Sequence, residues 1–366
     1  MNLERFANTL CLPSPLEPFT PDWEGAEHVS MFVKRDDRIH PVISGNKWRK
    51  LKHAFNLTPP HTIDLGTGSG FDINSGLYSQ PPSSVVSFGG GFSNHLHALG
   101  YLCNQLNIPF HAIIRGDYTK HPSPMIQDLV QWGTQIHYVN KITYQQRDDP
   151  AYLASLRTQF PDALIIPEGG SQMAALKGVQ EVVNEIDIPF DRIIAPVASG
   201  ATLAGLTSAL SPHQHAIGIG VLKGEGYLEG LVEQFLTPGL ALNLAHASIP
   251  AQTPAHALAR ASASAANKTN QFSINHDFHC GGYGKIPPYL QTFCENFNQT
   301  MPFEIEGVYS GKVFWALKNL LATLAPTNTS TNACEKKPFE KAIEKGQTLI
   351  IVHTGGIQGA RKNKNP

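Results

Sequence analysis

SVVSFGGGFSNHLHALGYLCNQL, residues 84–106, sets the architecture. Ser84–Phe88 is a short β-rich run with no polar alternation, which predicts a strand covered on both faces. Three glycines, Gly89–Gly91, end it. Ser93-Asn94 then opens a stretch with helical spacing of leucines, so the segment reads strand, tight turn, helix. The same alternation continues downstream. Strands are expected at His111–Ile114, Gln135–Val139, Leu164–Ile166, Arg192–Ala195, Ala216–Val221 and Thr348–Val352. Helices are expected at Pro124–Trp132, Tyr152–Phe160, Ala174–Ile186 and Leu203–Leu210. Strands alternating with helices predict an α/β fold of open, twisted, mostly parallel sheets flanked by helices.

The chain has 366 residues, which favours two domains over one. Hydrophobic residues make up 41% and charged residues 16%, an ordinary globular balance that argues against a mainly disordered chain. The net charge of -1 leaves no basic stripe for nucleic acid. The five cysteines, Cys11, Cys103, Cys280, Cys294 and Cys334, form no CxxC pair, and their odd number does not suggest a disulfide framework. The amino terminus lacks the charged start and apolar run of a secretory signal, and no stretch has membrane-spanning length. A soluble, cytoplasmic protein in a reducing compartment is expected. Three stretches, 57–84, 254–271 and 322–338, are expected to be loops or inserts, from their Pro, Gly, Ala, Ser or polar content.

Three clusters carry chemistry. In KRDDRIHPVISGNKWRKL (Lys34–Leu51), Ser44-Gly45-Asn46 predicts a turn that places Lys47 and Lys50 on the first turn of a helix. A lysine shielded from water there is a nucleophilic amine. In SFGGGFSNHLHALG (Ser87–Gly100), the glycine turn and Ser93-Asn94 offer N–H groups and short polar side chains to an anion. In APVASGATLAGL (Ala195–Leu206), a strand, small-residue turn and helix offer N–H groups and the Thr202 hydroxyl to a phosphate, with neither Walker A nor GxGxxG spacing; for this turn and the glycine turn alike, a tight βα connection with no ligand is the alternative. His95 and His97 point in different directions on one helix, so packing or hydrogen bonding suits them better than a metal pair, and no metal is expected.

Read together with PEGGSQMAALKG (Pro167–Gly178), GGYGK (Gly281–Lys285), GVYSGK (Gly307–Lys312) and HTGG (His353–Gly356), these motifs resemble a known family. It is the pyridoxal-phosphate-dependent family that includes 1-aminocyclopropane-1-carboxylate deaminase and D-cysteine desulfhydrase. The motifs stand in the family's order and span nearly the whole chain. The resemblance implies the tryptophan-synthase-β-like fold, called fold type II, with pyridoxal 5'-phosphate in an interdomain cleft. It implies a large domain of residues 1–50 and 167–366, a smaller inserted domain of 51–166, a small amino-acid substrate and a homodimer.

Carried over by position, Lys47 is the lysine that carries the cofactor and Lys50 the one near its phosphate. Ser93 faces the substrate carboxylate, and Asn94 bonds the cofactor's phenolic oxygen. Ser199, Gly200, Ala201 and Thr202 cradle the phosphate. Tyr283 and Tyr309 lie on the substrate side, and Ser310 faces the pyridine nitrogen. The family's cradle usually has glycine where this chain has Ala198 and Ala201, with four N–H donors still expected. Glu168 is read either as steering an amine or as capping Gly169-Gly170, and His353 as a cofactor contact or a structural histidine.

The family's ring-opening deaminases read Tyr-Glu-Gly where this chain reads Tyr309-Ser310-Gly311. A hydroxyl cannot supply the charge that keeps the pyridine nitrogen protonated, so the expected reaction is α,β-elimination of the D-cysteine desulfhydrase kind. Lys47 or a tyrosine would take the α-proton. Two alternatives stay open: 1-aminocyclopropane-1-carboxylate deamination, and a catalytically weak cofactor-binding protein.

Overall fold

The structure is a computed structural model that describes residues 6, 8–55, 82–237, 268–325, 342–357 and 361. Contacts divide the chain into two units, one of residues 1–12, 39–178 and 361–366, the other of 13–38 and 179–360. This division draws its boundaries apart from the 51–166 insert read from sequence, and it groups the Lys47 helix with the smaller sheet. The loops expected at 57–84, 254–271 and 322–338 lie largely outside the described residues.

Two short strands come first, β1 (Leu16–Pro18) and β2 (Ser30–Lys34), paired antiparallel. The first unit then opens with α1 (Asn46–Lys52), whose N-cap Gly45 has φ 68°, a left-handed setting that favours glycine. Its sheet follows: β3 (Ser84–Gly90), α2 (Asn94–Leu106), β4 (Phe110–Arg115), α3 (Pro124–Gln131), β5 (Gln135–Val139), α4 (Lys141–Gln145), α5 (Pro150–Gln159) and β6 (Ala163–Ile166). The four strands run parallel in the order β5-β4-β3-β6.

The local signals act as read. Ser93, Ser123, Asn140 and Asp149 each cap the helix that follows with a side-chain oxygen, and Pro124 and Pro150 occupy first helical positions. Leu96, Leu99 and Leu102 of α2 and Met125 and Leu129 of α3 cover one sheet face with Val85, Ala112 and Ile114. Tyr144 of α4 and Leu156 of α5 cover the other, against Val86, Phe88 and Ile113. Successive strand residues thus serve opposite faces, which is why β3 shows no polar alternation.

Helix α6 (Met173–Asn184) crosses from the first unit into the second. The second unit continues with β7 (Arg192–Val197), α7 (Ala201–Ala209), β8 (His215–Gly220), α8 (Tyr227–Leu236), β9 (Phe272–Asn275), α9 (Pro288–Thr300), α10 (Ser310–Ala322) and β10 (Thr348–Val352). Its sheet order is β1-β2-β10-β7-β8-β9, parallel except at β1. Ile194, Ile217 and Ile219 face α9 and α10 through Phe297, Phe314 and Leu317. Ile193, Ala195 and Ala216 face α7 and α8 through Leu203, Leu206 and Val232.

The sequence reading missed β1, β2 and β9. In β2 the buried Lys34 hides the strand inside a basic run. Its Nζ lies 2.6 Å from Glu185, and the side chain is fully buried. A lysine at a buried strand position is tolerated only when paired in this way.

Candidate active site

The chemistry-bearing turns of each unit lie at the carboxyl ends of parallel strands, where open α/β sheets bind ligands. In the first unit, Lys47 is half-buried, and its Nζ donates to Asn46 Oδ1 at 2.6 Å. Lys50, one turn on, is 3% exposed. Its Nζ donates to Gly169 O and Ser171 Oγ, both at 3.3 Å, in the turn after β6. Burial, with the adjacent positive charge of Lys47, holds the Lys50 ammonium well below its ordinary pKa. No carboxylate among the described residues offsets it.

On α2, the Ser93 hydroxyl accepts from Leu96 N–H at 3.2 Å, so its own hydrogen remains to be donated. Asn94 Oδ1 is buried without a partner among the described residues. Next to it, His95 Nε2 and Ser87 Oγ lie 2.8 Å apart, while Ser87 donates its hydrogen to Ile166 O at 2.8 Å. Ser87 Oγ therefore accepts, and His95 carries its proton on Nε2. Burial and the charges of Lys47 and Lys50 hold this histidine well below its usual pKa, so it stays neutral. His97 turns instead to Asp128, 2.7 Å away, and to the Trp132 ring.

In the second unit, Ser199–Thr202 forms the turn from β7 into α7, with Gly200 at φ 78°. A Cβ at Gly200 would stand 2.8 Å from Leu231 backbone atoms, so no larger residue fits. The Ala201 N–H already donates to Ser199 O at 3.0 Å. The four donors expected of this cradle are thus one fewer, because the turn spends that N–H on closing itself.

Tyr283 and Tyr309 share a hydrogen bond, Oη to Oη 2.8 Å, with rings edge-on at 71°. Ser310 begins α10 and is 2% exposed. The carboxylate of Glu306, a residue the sequence reading passed over, accepts from Val308 N–H (2.6 Å), Tyr309 N–H (2.8 Å) and Ser310 N–H (2.9 Å). Burial nonetheless raises its pKa above the usual carboxylate range, against these donors. Lys312, fully buried and also missed, donates to Val221 O (2.9 Å), His279 O (2.8 Å) and Gly282 O (2.8 Å). It thereby ties the Tyr283 loop to the end of β8. The signal for both was an acid just ahead of a helix start and a lysine inside an otherwise apolar helix face.

Glu168 forms an ion pair with Arg147 at 2.7 Å. His353 accepts from Gly355 N–H at 3.2 Å and bonds Glu304 O at 2.7 Å, which makes it a satisfied structural histidine.

No family model matches the chain. The bifunctional D-cysteine desulfhydrase/1-aminocyclopropane-1-carboxylate deaminase of Arabidopsis thaliana is 25% identical over 90% of this chain and 73% of its own. The D-cysteine desulfhydrase of Klebsiella pneumoniae is 24% identical over 60% of this chain and 66% of its own. A crystal structure of a 1-aminocyclopropane-1-carboxylate deaminase homologue superimposes with TM-score 0.64 at 21% identity, covering 96% of this chain and 91% of that one. The chain resembles the 1-aminocyclopropane-1-carboxylate deaminase and D-cysteine desulfhydrase family. It has fold type II, shared with a tomato threonine deaminase at TM-score 0.55, 15% identity, 98% of this chain and 87% of that one. With this family come pyridoxal phosphate as cofactor and the class of pyridoxal-phosphate-dependent lyases and deaminases. Among the described residues, no helix is long and apolar enough to cross a membrane.

The residues fit the family's cofactor. Asn94 keeps a buried amide oxygen with no partner among the described residues, and amide oxygen and nitrogen exchange by a simple flip. Lys50 is a buried amine with no carboxylate partner among the described residues, and a phosphate would supply the counter-charge that favours its protonated form. In the second unit, taken by itself, the α7 N-terminus presents backbone donors beside Thr202, with a glycine turn that keeps side chains out of the way.

Proposed function

We propose that the chain catalyses α,β-elimination on a small amino acid, with D-cysteine as the substrate, giving pyruvate, sulfide and ammonia. In this reading Lys47 carries the cofactor, Lys50 and the Ser199–Thr202 turn hold its phosphate, and Asn94 holds its phenolic oxygen. The bound cofactor supplies an electron sink for the charge left at Cα. Ser93 donates its hydroxyl to the substrate carboxylate. Lys47 Nζ takes the α-proton, a task worth about 10²–10⁴-fold to a positioned base. Tyr283 and Tyr309, joined through their hydroxyls, pass a proton to the departing sulfur.

What carries the choice of reaction is Ser310. Its neutral hydroxyl stands at the first residue of α10, while the nearest carboxylate, Glu306, is turned onto backbone N–H groups. A hydroxyl partner leaves the ring nitrogen a weaker sink than a carboxylate would. Elimination tolerates that, because the thiolate leaves with the charge, whereas ring opening of a substrate without an α-proton does not. The test is kcat/KM for D-cysteine and for 1-aminocyclopropane-1-carboxylate on the unmodified protein. The expected ratio favours D-cysteine by at least about tenfold, equivalent to about 1.4 kcal/mol of barrier. Efficient release of 2-oxobutyrate from the cyclic substrate would reverse the assignment.

A further inference from the structure

Ser310 and Glu306 are joined more closely than a helix cap requires. The Glu306 N–H donates to Ser310 Oγ at 2.9 Å, and the Ser310 N–H returns to Glu306 Oε1 at 2.9 Å. This reciprocal pair fixes the hydroxyl oxygen in place. Its hydrogen is held far less tightly. The acceptors within reach are Glu306 Oε1 at 3.3 Å and Glu306 O at 3.5 Å, both at the long end for a hydroxyl donor. One lone pair of Oγ is thus committed, while the hydrogen can swing between Glu306 and a partner on the other side.

We propose that Glu306 is a positioning residue that makes the Ser310 hydroxyl an adaptable contact, able to meet the cofactor's ring nitrogen in either protonation state. Toward an unprotonated nitrogen, the hydroxyl donates its hydrogen. Toward a protonated nitrogen, Oγ accepts, and its own hydrogen turns onto the Glu306 carboxylate. No proton is gained or lost by the protein in this exchange. The negative charge of Glu306 then reaches the ring nitrogen through one hydroxyl and favours its protonated form, more weakly than a direct carboxylate would. This inference rests on the reading that Ser310 faces the ring nitrogen, and it deepens that reading.

The groups whose fields reach Glu306 are named by the packing. Lys312, on α10, places a positive charge near it. Cys294 faces it from α9, and a Cβ at Gly311 would stand 2.5 Å from the Cys294 sulfur and 2.7 Å from Glu306 O. Burial and the charge of Glu306 push the Cys294 thiol up to about 12, so it stays neutral through the working range. Cys280, whose thiol burial also raises, lies near Lys312 and Cys294. None of these carries a second negative charge at neutral pH.

The experiment reads the chemical shift of cofactor labelled with ¹⁵N in its ring, bound to the full-length protein and followed against pH. In Glu306→Gln the midpoint for ring protonation is expected to fall by about one pH unit, the scale of a nearby opposite charge. Ser310→Ala is expected to shift it in the same direction, and Glu306→Gln added to Ser310→Ala to do nothing further, since the link is already cut. Glu306→Asp, which keeps the charge but withdraws it by one methylene, should fall between. Should Glu306→Gln fail to fold, Ser310→Ala and Glu306→Asp carry the test, and a wild-type midpoint in both overturns the proposal. If Ser310→Ala moves the signal and Glu306→Gln does not, the role of Glu306 falls alone. If Ser310→Ala leaves the signal unmoved, Ser310 does not face the ring nitrogen, and that part of the functional reading falls too.

Discussion

Lys312 shows how one side chain organises a reactive surface without touching it. All three ammonium hydrogens go to main-chain oxygens, two of them in the loop that leads to Tyr283. Lys312→Met keeps the stem but strands three carbonyls. At roughly 1–3 kcal/mol for each buried group left unpaired, denaturant unfolding should show a loss of at least about 2 kcal/mol, with a rise in KM as Tyr283 loosens. Two other substitutions address the cofactor directly. Lys47→Ala should abolish the visible absorption band of the purified protein; a band that survives, borohydride-reducible at another lysine, would remove Lys47 from its role. Thr202→Val removes a hydroxyl beside a dianion, worth about 1.5–3 kcal/mol, so cofactor titration should show affinity down roughly 10- to 150-fold. At this scale the sequence was legible where a residue sits inside a motif. Lys47, Lys50, Ser93 and Asn94 stood out for that reason, and their roles toward the cofactor and substrate are the proposal these substitutions test. Glu306 and Lys312 act through others: one lies a residue ahead of the GVYSGK stretch and turns onto the N–H groups that follow it, while the other ends the stretch and meets carbonyls roughly 30 to 90 residues away, which no local pattern advertises.

Between elements, the decisive dimension is how closely two helices approach. Gly178 on α6 faces α1 so tightly that an added Cβ would lie 1.8 Å from Arg49 O. The obstacle is backbone, which cannot rotate aside. Gly178→Ala must push α1 away, and α1 carries both Lys47 and Lys50. Overpacking of this kind costs about 1–3 kcal/mol, and calorimetry should record a lower Tm together with weaker cofactor binding. Unchanged affinity would mean that α1 can shift without disturbing its lysines. Elements themselves were readable where apolar period and capping residues agreed, as in β3–α2 with Ser93 at the N-cap. They were unreadable where burial had to be arranged by a distant partner. The strand β2 ends in a lysine neutralised by Glu185, 151 positions away, and β1 is a three-residue strand. No local pattern records such a pairing.

Across the whole molecule, buried histidines set the response to acid. His95 and His353 are both held below their usual pKa, chiefly by burial. An unfolded chain binds protons at these positions below about pH 6.5, while the folded one resists them. Stability from each is therefore intact above that pH and drains away as pH falls below it, at up to about 1.4 kcal/mol per unit. Unfolding curves at pH 7 and 5 should show the loss, and His95→Gln should make the curve shallower. Equal slopes in the two proteins would exclude His95 as a contributor.

The strand order has a consequence for how the chain is made. β10, near the carboxyl end, lies between β2 and β7 in the larger sheet. A nascent chain leaving the ribosome can complete the sheet of β3 to β6 once residue 166 has emerged. The other sheet cannot close until Thr348–Val352 arrives, so until then β2 and β7 each present an unpaired edge. Stalled or prematurely terminated products ending before residue 348 are thus expected to be protected from protease over 84–166, sticky elsewhere, and dependent on chaperones. Pulse proteolysis of arrested chains of graded length would locate the point of protection. Protection of 192–220 before the last strand is synthesised would show that the two flanks can hold together without their keystone.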